Sequence, residues 1–360
     1  MDFEIRRGEL GETRFVDSEA PTPGPGEALL TVDSFGLTTN NITYAVMGEE
    51  MNYWDFFPAS QPDRGRLPVW GFADVSASNH PDLGVGTRVY GYFPLADHLV
   101  VQPGRVNEKG FLDTSAHRKP LPSAYQGYRA TDADPIYDKA KEDEQILFWP
   151  LFYTSFLVDD FLADEDFFGA GTMLLSSASS KTAIIAAYLL AQREGIEVVG
   201  LTSPGNTEFV AGLKIYDKVV TYDDVGSLPE GDAVYVDFSG DGNVRRSVHE
   251  CFGDRLAHSA SVGMTHWDQM AAGSGELPGP KPEFFFAPTR IKKRGSDWGT
   301  AKLDENVCAA WTPFAEWTSG WLKVAPISGE DEIKRVYLEI LDGNVDPKVG
   351  HEVEMGASES

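Results

Sequence analysis

The pattern of apolar and polar residues changes about 150 residues into the chain. Before that point, short alternating stretches are separated by turns rich in glycine and proline. They predict strands over 28–32, 69–75, 87–92 and 98–101. Strands this short, joined by irregular loops, are typical of a small β-barrel. The sequence therefore predicts a β-domain over residues 1–150.

Beyond that point, continuous apolar runs alternate with segments of helical periodicity. Strands are predicted over 172–177, 197–202, 218–222, 233–238 and 255–262, with helices over 181–193 and 207–213. Strand, helix and strand at this spacing indicate a doubly wound parallel sheet of the nucleotide-binding type. The expected fold class is α/β, with the sheet domain at 151–315.

The two ends of this second domain are less regular. Thr154 or Ser155 is expected to cap a helix at its start. A strand over 284–286 and a helix over 304–315 are predicted near its end, and residues 336–341 are predicted as a further strand. Residues 316–360 are expected to return to the first domain.

Composition excludes several classes of partner. The 360 residues include 56 acidic and 30 basic side chains, so the formal net charge is −26, while a hydrophobic content of 42% is ordinary for a globular protein. This charge repels nucleic acid and anionic membranes, so neither is an expected partner. Without an uninterrupted apolar run of membrane length or an apolar leader, a cytoplasmic location is expected.

The first candidate for cofactor binding follows the strand predicted at 172–177. A loop of small residues there opens directly into a helix, and N–H groups at the start of a helix bind the pyrophosphate of dinucleotides. The glycines usual at this place are absent, and the predicted ligands are Ser177, Ser179, Ser180, Lys181 and Thr182. The alternative is an ordinary strand-to-helix turn capped by Ser179 or Ser180.

The second candidate lies at the end of the next strand. Thr202, Ser203 and Asn206 occupy the place where an NAD-binding domain usually has an acidic residue for the ribose hydroxyls. Because no carboxylate is present to repel a 2′-phosphate, this segment favours NADP over NAD. The alternative is a turn that binds nothing.

A third candidate is the glycine-rich loop after the strand at 233–238. Ser239 and Gly240 are predicted to line a cofactor cleft. The alternative is a helix start capped by Ser239, Asp241 or Asn243, and the sequence does not choose between the two.

Basic and metal-binding residues add little to these candidates. One basic cluster consists of Arg290, Lys292, Lys293 and Arg294. It is expected either to attract a phosphate or to lie in a solvated loop. His249 and His266 are expected to be structural or surface residues. Two cysteines and scattered histidines do not make a zinc site, so no metal is predicted.

Several segments carry a family resemblance. Residues 36–41 (GLTTNN), 67–73 (LPVWGFA), 85–91 (VGTRVYG) and 96–101 (ADHLVV) resemble, in order, the "GLN", Pro-Gly-Phe-Glu, "GDRV-G" and "AEYVVV" segments of medium-chain dehydrogenases and reductases. The chain resembles the zinc-independent branch of quinone and enoyl reductases. More narrowly, residues 150–156 (PLFYTSF) and 253–259 (GDRLAHS) resemble the DUF2855 family.

The resemblance implies a GroES-like β-barrel domain interrupted by a Rossmann domain, with NADP(H) as cofactor and a homodimer as assembly. Zinc-dependent members carry a cysteine within the segment that here is 37–41, and Gly-His-Glu where this chain has Gly71-Phe72-Ala73. Both are missing, which implies a member that works without zinc.

The resemblance also implies catalytic residues. Tyr44 falls where zinc-free reductases place a tyrosine that protonates or orients the substrate, and Asn40 and Asn41 are placed to hold its carbonyl. Tyr153 and Thr154 are expected to begin the helix beside the nicotinamide. Trp54, Tyr125 and Tyr128 are expected either to supply aromatic walls or to lie in surface loops. Alternatively, Tyr44 packs on the barrel and binds a backbone group.

These observations favour a zinc-independent, NADPH-dependent reductase. Its substrate would be a small molecule with an activated C=C or C=O, of the enone, quinone or aldehyde type. Because the loop at 176–183 lacks glycine, a second hypothesis remains open. In it the same fold acts as a lyase, an isomerase or a small-molecule binding protein.

Overall fold

The computed structural model describes residues 1–17, 19–228, 230–262 and 276–355. They form two compact units. The first unit comprises Met1–Leu147 and Leu322–Ser360, and the second comprises Phe148–Trp321. The divisions predicted from the sequence are at 150 and 315.

Short strands alternate with helices along the chain. The strands are β1 (Asp2–Arg6), β2 (Glu9–Val16), β3 (Ala28–Leu37), β4 (Arg64–Arg66), β5 (Pro68–Ser78), β6 (Arg88–Pro94), β7 (His98–Val101), β8 (Pro103–Asn107), β9 (Gly110–Asp113), β10 (Gly127–Ala130), β11 (Thr172–Leu175), β12 (Glu197–Thr202), β13 (Lys218–Thr221), β14 (Ala233–Asp237), β15 (Leu256–Ser261), β16 (Glu283–Phe284), β17 (Lys323–Ile327) and β18 (Val349–Glu354). The helices are α1 (Thr39–Val46), α2 (Glu142–Asp164), α3 (Lys181–Leu190), α4 (Thr207–Gly212), α5 (Gly242–Phe252), α6 (Ala287–Asp297), α7 (Thr300–Thr318) and α8 (Glu330–Leu341).

The first unit is built on a large, mainly antiparallel sheet. Its order is β17-β18-β3-β5-β6-β10-β9-β8, with β7 also paired to β3, and a smaller sheet has the order β2-β1-β4. The central strands pair Leu30 with Val75 and Val32 with Ala73, which are buried. Gly71 permits this close pairing, because a Cβ there would lie 2.1 Å from the carbonyl oxygen of Ser34.

The end of the chain joins this first unit, but its secondary structure differs from the prediction. Residues 336–341, predicted as a strand, belong to helix α8. Its buried residues follow the helical spacing over two turns, and they are Ile333, Val336, Tyr337 and Ile340. The predicted segment was too short to show this period. Strand β18 follows and pairs antiparallel with β3.

The carboxyl groups of Glu352 and Asp143 influence each other within the first unit. Burial, and then the charge of Asp143, raises the pKa of Glu352 to about 7 from an ordinary 4.5. Burial likewise raises the pKa of Asp143, with Glu142, Glu144 and Glu354 adding to the rise.

A raised pKa in the folded state makes stability fall with rising pH. The contribution of Glu352 is complete below its unfolded pKa and is lost as the pH rises through about 7. We therefore expect Glu352→Gln to reduce the loss of thermal stability between about pH 5 and 8. Melting curves at both pH values test this, with Glu339→Gln on α8 as the control. Equal pH dependence in wild type and Glu352→Gln would contradict it.

The second unit contains a parallel sheet in the order β13-β12-β11-β14-β15-β16. Its central strands β11 and β14 are entirely buried, which explains their continuous apolar sequences. The order and the intervening helices are those of a doubly wound sheet. The predicted α/β fold class is confirmed.

Helix α2 begins earlier than predicted. Thr154 and Ser155 lie in its interior instead of capping it, because the helix starts at Glu142 and continues through Pro150. Its first turn carries Glu142, Asp143 and Glu144, whose charges favour a helix N-terminus. The proline removes one main-chain hydrogen bond without ending the helix.

This helix is also long and apolar enough to cross a membrane. The segment Lys139–Asp164 reaches a mean hydropathy of 1.4, but 61% of its most apolar window is buried inside the structure. Asp159 and Asp160 interrupt its apolar residues, so the sequence shows no uninterrupted apolar run of membrane length here. Burial within the protein accounts for its apolar character.

Candidate functional site

The loop between β11 and α3 is shaped by hydrogen bonds within the second unit. Ser176 N–H donates to the Val236 carbonyl at 3.2 Å, and Ala178 N–H donates to the Leu201 carbonyl at 3.0 Å. Ser177 is left-handed at φ 51°, and its N–H donates to the Tyr222 hydroxyl at 3.1 Å. The loop thus adopts without glycine a conformation that glycine adopts more easily.

The start of α3 offers donors to an anion. Ser180 caps the helix, since its Oγ accepts from Ala183 N–H at 3.3 Å. Within residues 19–228, the N–H groups of Ser179 and Thr182 have no acceptor. Two such donors, the neighbouring serine hydroxyls and the positive end of the helix fit the phosphates of a dinucleotide. Lys181 is the first residue of α3.

The turn after β12 contacts this loop. Asn206 Nδ2 donates to Ser179 Oγ at 3.0 Å. Thr202 Oγ1 is buried and has no partner among the described residues. Ser203 is half-buried and precedes the short turn Pro204–Asn206. Residues 202–207 contain no carboxylate, so nothing in them repels a phosphate.

Ser239 and Gly240, predicted to line a cofactor cleft, make hydrogen bonds within the second unit. Gly240 N–H and both the N–H and Oγ of Ser239 donate to the carboxylate of Asp237, at 2.8–3.1 Å. These hydrogen bonds hold the end of β14. Helix α5 is capped by Asp241, one of the alternatives that the sequence left open.

The basic cluster is a correction, because it forms neither a phosphate site nor a solvated loop. Arg290 and Arg294 are buried on α6 and bind Asp160 on α2 at 2.8 and 2.7 Å. Asp164 accepts from both arginines and from Lys293. These contacts neutralise the positive charge. Lys292 is exposed.

The first unit carries a cluster of aromatic side chains around Tyr44 on α1. The Tyr44 ring lies 4.8 Å from that of Tyr53 and 5.4 Å from that of Tyr92. The hydroxyls of Tyr53 and Tyr125 form a hydrogen bond of 3.1 Å. Trp70 packs against the ring of Tyr92 at 5.0 Å and completes the cluster.

The Tyr44 oxygen is held by two donors that cannot accept. Asn40 Nδ2 donates to it at 2.8 Å, and Trp70 Nε1 donates to it at 2.9 Å. Burial raises the pKa of Tyr44 above its ordinary value, so the phenol keeps its proton at neutral pH. The two N–H groups act in the opposite direction, because they stabilise a negative oxygen. Neither of these two groups therefore accepts the hydroxyl hydrogen of Tyr44.

Asn41 is placed differently from the prediction. Its Oδ1 accepts from Thr38 N–H at 2.7 Å, and its Nδ2 donates to the Pro68 carbonyl at 2.9 Å. The side chain is 2% exposed and fixes the start of α1. The amide that contacts Tyr44 belongs to Asn40 instead.

The remaining aromatic candidates separate into two groups. Trp54 and Tyr128 belong to the core and are not walls of a pocket, being 2% and 1% exposed. Tyr125 joins the cluster around Tyr44. Tyr153 lies within α2 in the second unit, half-buried and edge-on to Trp149 at 6.3 Å. Its position corrects the expectation that Tyr153 and Thr154 begin a helix.

Sequence analysis missed Trp70, Tyr53 and Tyr222. Trp70 lies within the strand predicted at 69–75, half-buried between the buried residues Val69 and Gly71, and this placement was the available signal. Tyr222 directly follows β13, at the same edge of the sheet as the other candidates. For Tyr53, in a short turn after α1, the sequence carried no comparable signal.

The described residues contain no group of three metal-ligating side chains. His249 is buried and structural, with one ring nitrogen 2.8 Å from the Pro278 carbonyl and the other 3.0 Å from Ser259 Oγ. Burial lowers its pKa. His266 lies outside the described residues.

Comparisons with known proteins identify the fold. The DUF2855 family model, described as a protein of unknown function, matches residues 35–346. No curated protein matches the sequence. The structure is similar to those of CurA from Vibrio vulnificus (13% identity, TM-score 0.59, 98% of this chain and 96% of that chain), YhdH of E. coli K-12 with bound NADPH (14%, 0.57, 99% and 100%) and the quinone oxidoreductase from Coxiella burnetii (11%, 0.55, 98% and 98%). The chain therefore has the medium-chain dehydrogenase/reductase fold, with GroES-like and Rossmann domains.

Proposed function

The chain belongs to the DUF2855 family, and we propose that it is an NADPH-dependent reductase that acts without zinc. The observation that carries this proposal is the start of α3, where the N–H groups of Ser179 and Thr182 are left for an anion. It lies at the edge of a doubly wound sheet where such folds bind dinucleotides. Two proteins of similar structure, YhdH and CurA, have been crystallised with NADPH.

The residues of the second unit would hold the cofactor. The pyrophosphate would accept hydrogen bonds from Ser179, Ser180 and Thr182, and Asn206 would fix the Ser179 hydroxyl. Lys181 and Ser177 are the remaining predicted ligands of the loop. Thr202 and Ser203 offer hydroxyls and no negative charge to a 2′-phosphate. NADPH, when bound, supplies the hydride.

Tyr44 would supply the proton. Reduction of an activated C=C or C=O develops negative charge on the substrate oxygen, and a phenol is able to protonate or stabilise it. Asn40 and Trp70 hold the Tyr44 oxygen and stabilise the phenolate that remains. The enone, quinone and aldehyde classes satisfy this chemistry. Tyr153 is proposed as a second catalytic residue, beside the nicotinamide.

A screen of these three substrate classes tests the function. NADPH consumption followed at 340 nm should be substrate-dependent for at least one class, and the same assay with added chelator should be unchanged. NADPH oxidation that no compound accelerates would contradict a reductase.

A small-molecule binding protein of the same fold is the second candidate. It is favoured by the loop between β11 and α3, in which Ser176, Ser177, Ala178 and Ser180 all use their N–H groups internally. Tight binding of NADPH without its oxidation across the screen would support this candidate.

The end of β12 yields a prediction about cofactor preference. In Ser203→Asp, a carboxylate would repel the 2′-phosphate and accept from ribose hydroxyls. We expect NADPH affinity to fall by about tenfold or more, with NADH affinity unchanged or higher. Titration with both nucleotides measures this, and Ser203→Asn is the uncharged control. Equal losses for NADPH and NADH would remove Ser203 from the 2′-phosphate site.

We also propose a cytoplasmic homodimer formed through β16. The side chain of Phe284, in this outermost strand of the parallel sheet, is 53% exposed. Phe286, two residues further along the chain, is 47% exposed. Phe284→Glu should convert a dimer into a monomer in sedimentation velocity, while Val85→Glu, at an exposed apolar residue of the first unit, should not. A monomeric wild-type protein would contradict the proposal.

A further inference from the structure

The strands β11 and β14 lie side by side where the order of the parallel sheet reverses. From β11 the chain proceeds to β12 on one side, and from β14 it proceeds to β15 on the other. Ligands of doubly wound folds bind beyond the carboxyl ends of the strands at such a position. The groups that join these two strand ends therefore form the floor of the proposed cofactor site.

One carboxylate joins them. Asp237, at the end of β14, is completely buried, and its Oδ1 accepts from Ser176 Oγ at 2.8 Å as well as from Ser239 and Gly240. Its Oδ2 accepts from Nε and Nη2 of Arg245 on α5, at 2.9 and 2.7 Å. Charge-assisted bonds of this kind are short and directional, so the carboxylate fixes the groups around it.

Ser176 is the bridge on the side of β11. Besides donating to Asp237, its Oγ accepts from Phe238 N–H at 2.9 Å and from Ser239 N–H at 3.1 Å. Ser176 is completely buried, so it is not available to touch a ligand. It directly precedes Ser177, whose left-handed backbone is unfavourable for a residue other than glycine.

We propose that Asp237 and Ser176 are positioning residues that replace the missing glycines of the nucleotide loop. By fixing Ser176, the carboxylate holds Ser177 in its left-handed conformation and keeps the N–H groups of Ser179 and Thr182 turned toward the phosphates. This inference rests on the proposed function, because the phosphates are those of NADPH.

The test compares NADPH affinities by isothermal titration calorimetry. Ser176→Ala should weaken NADPH binding by about tenfold or more, since small displacements of binding groups are costly. Ser259→Ala removes an equally buried hydroxyl from β15, bound to His249, and should leave the affinity within about twofold. Adding Ser177→Gly to Ser176→Ala should recover at least half of the loss on a logarithmic scale, because glycine adopts the left-handed conformation unaided.

Each outcome decides a different question. A Ser176→Ala protein that binds NADPH like the wild type overturns the positioning role and leaves the reductase proposal intact. A wild-type protein that binds no NADPH overturns both. If Ser176→Ala does not fold, Arg245→Lys is the second test. This variant keeps the positive charge but loses the paired hydrogen bonds from Nε and Nη2 to Asp237. It should weaken binding by about threefold, and an unchanged affinity again overturns the inference.

Discussion

Tyr44→Phe is expected to lower kcat by about 100-fold or more while leaving NADPH affinity unchanged. Phenylalanine keeps the ring within the aromatic cluster and removes only the hydroxyl held by Asn40 and Trp70. The proton then has to come from water. Because burial keeps the pKa of Tyr44 above its ordinary value, the wild-type kcat should not fall through loss of this proton between about pH 6 and 9.

Steady-state kinetics with the best substrate of the screen, together with an NADPH titration, check this result. Tyr90→Phe is the matched control, since Tyr90 is another buried phenol of the first unit and its hydroxyl donates to a backbone carbonyl. Its kcat should stay within about threefold of the wild type. A Tyr44→Phe enzyme with wild-type kcat would remove Tyr44 from the mechanism.

Asp160→Ala is expected to destabilise the protein by about 3–5 kcal/mol. Asp160 is buried between Arg290 and Arg294, and its removal leaves two buried guanidinium groups without their central partner. Asp297→Ala removes an exposed partner of Arg294 and should cost no more than about 1 kcal/mol. Urea unfolding of both variants measures the difference, and equal costs would contradict the account.

The same cluster of charged residues predicts a loss of folding stability in acid. Hydrogen bonding by Lys293, followed by Arg290 and the charge of Arg294, lowers the pKa of Asp164 to about 2 from an ordinary 3.8. A lowered pKa contributes stability that is complete above the unfolded value and is lost as the pH falls through the folded value. Asp164→Asn should therefore flatten the loss of stability between about pH 4 and 2.

The sequence predicted the parallel sheet well because its central strands are buried on both faces. Residues 197–202, predicted as a strand, match β12 without change, and the apolar run around β14 is equally clear. The predicted secondary structure was wrong where tertiary packing or the full length of a helix determines it. The domain boundary predicted at residue 150 lies inside α2, and the apolar residues of α8 show their period only over the whole helix.

The candidate site was predictable in its positions and not in its contacts. Placement at the ends of parallel strands brought Ser179 and Asn206 together, as a shared edge requires. The partners of Tyr44 were not predictable, because Asn40 and Asn41 are neighbours on α1 and only the structure shows which of them contacts the phenol. Arg290 and Arg294 were misplaced because their acidic partners lie on α2, about 130 residues earlier.

The binding of NADPH to the wild-type protein tests the central claim most directly. Calorimetric titration with NADPH and NADH should give a micromolar dissociation constant for NADPH and weaker binding of NADH, since residues 202–207 carry no charge that repels the 2′-phosphate. The absence of binding of either nucleotide at about 1 mM would contradict the assignment of the start of α3 as a dinucleotide site.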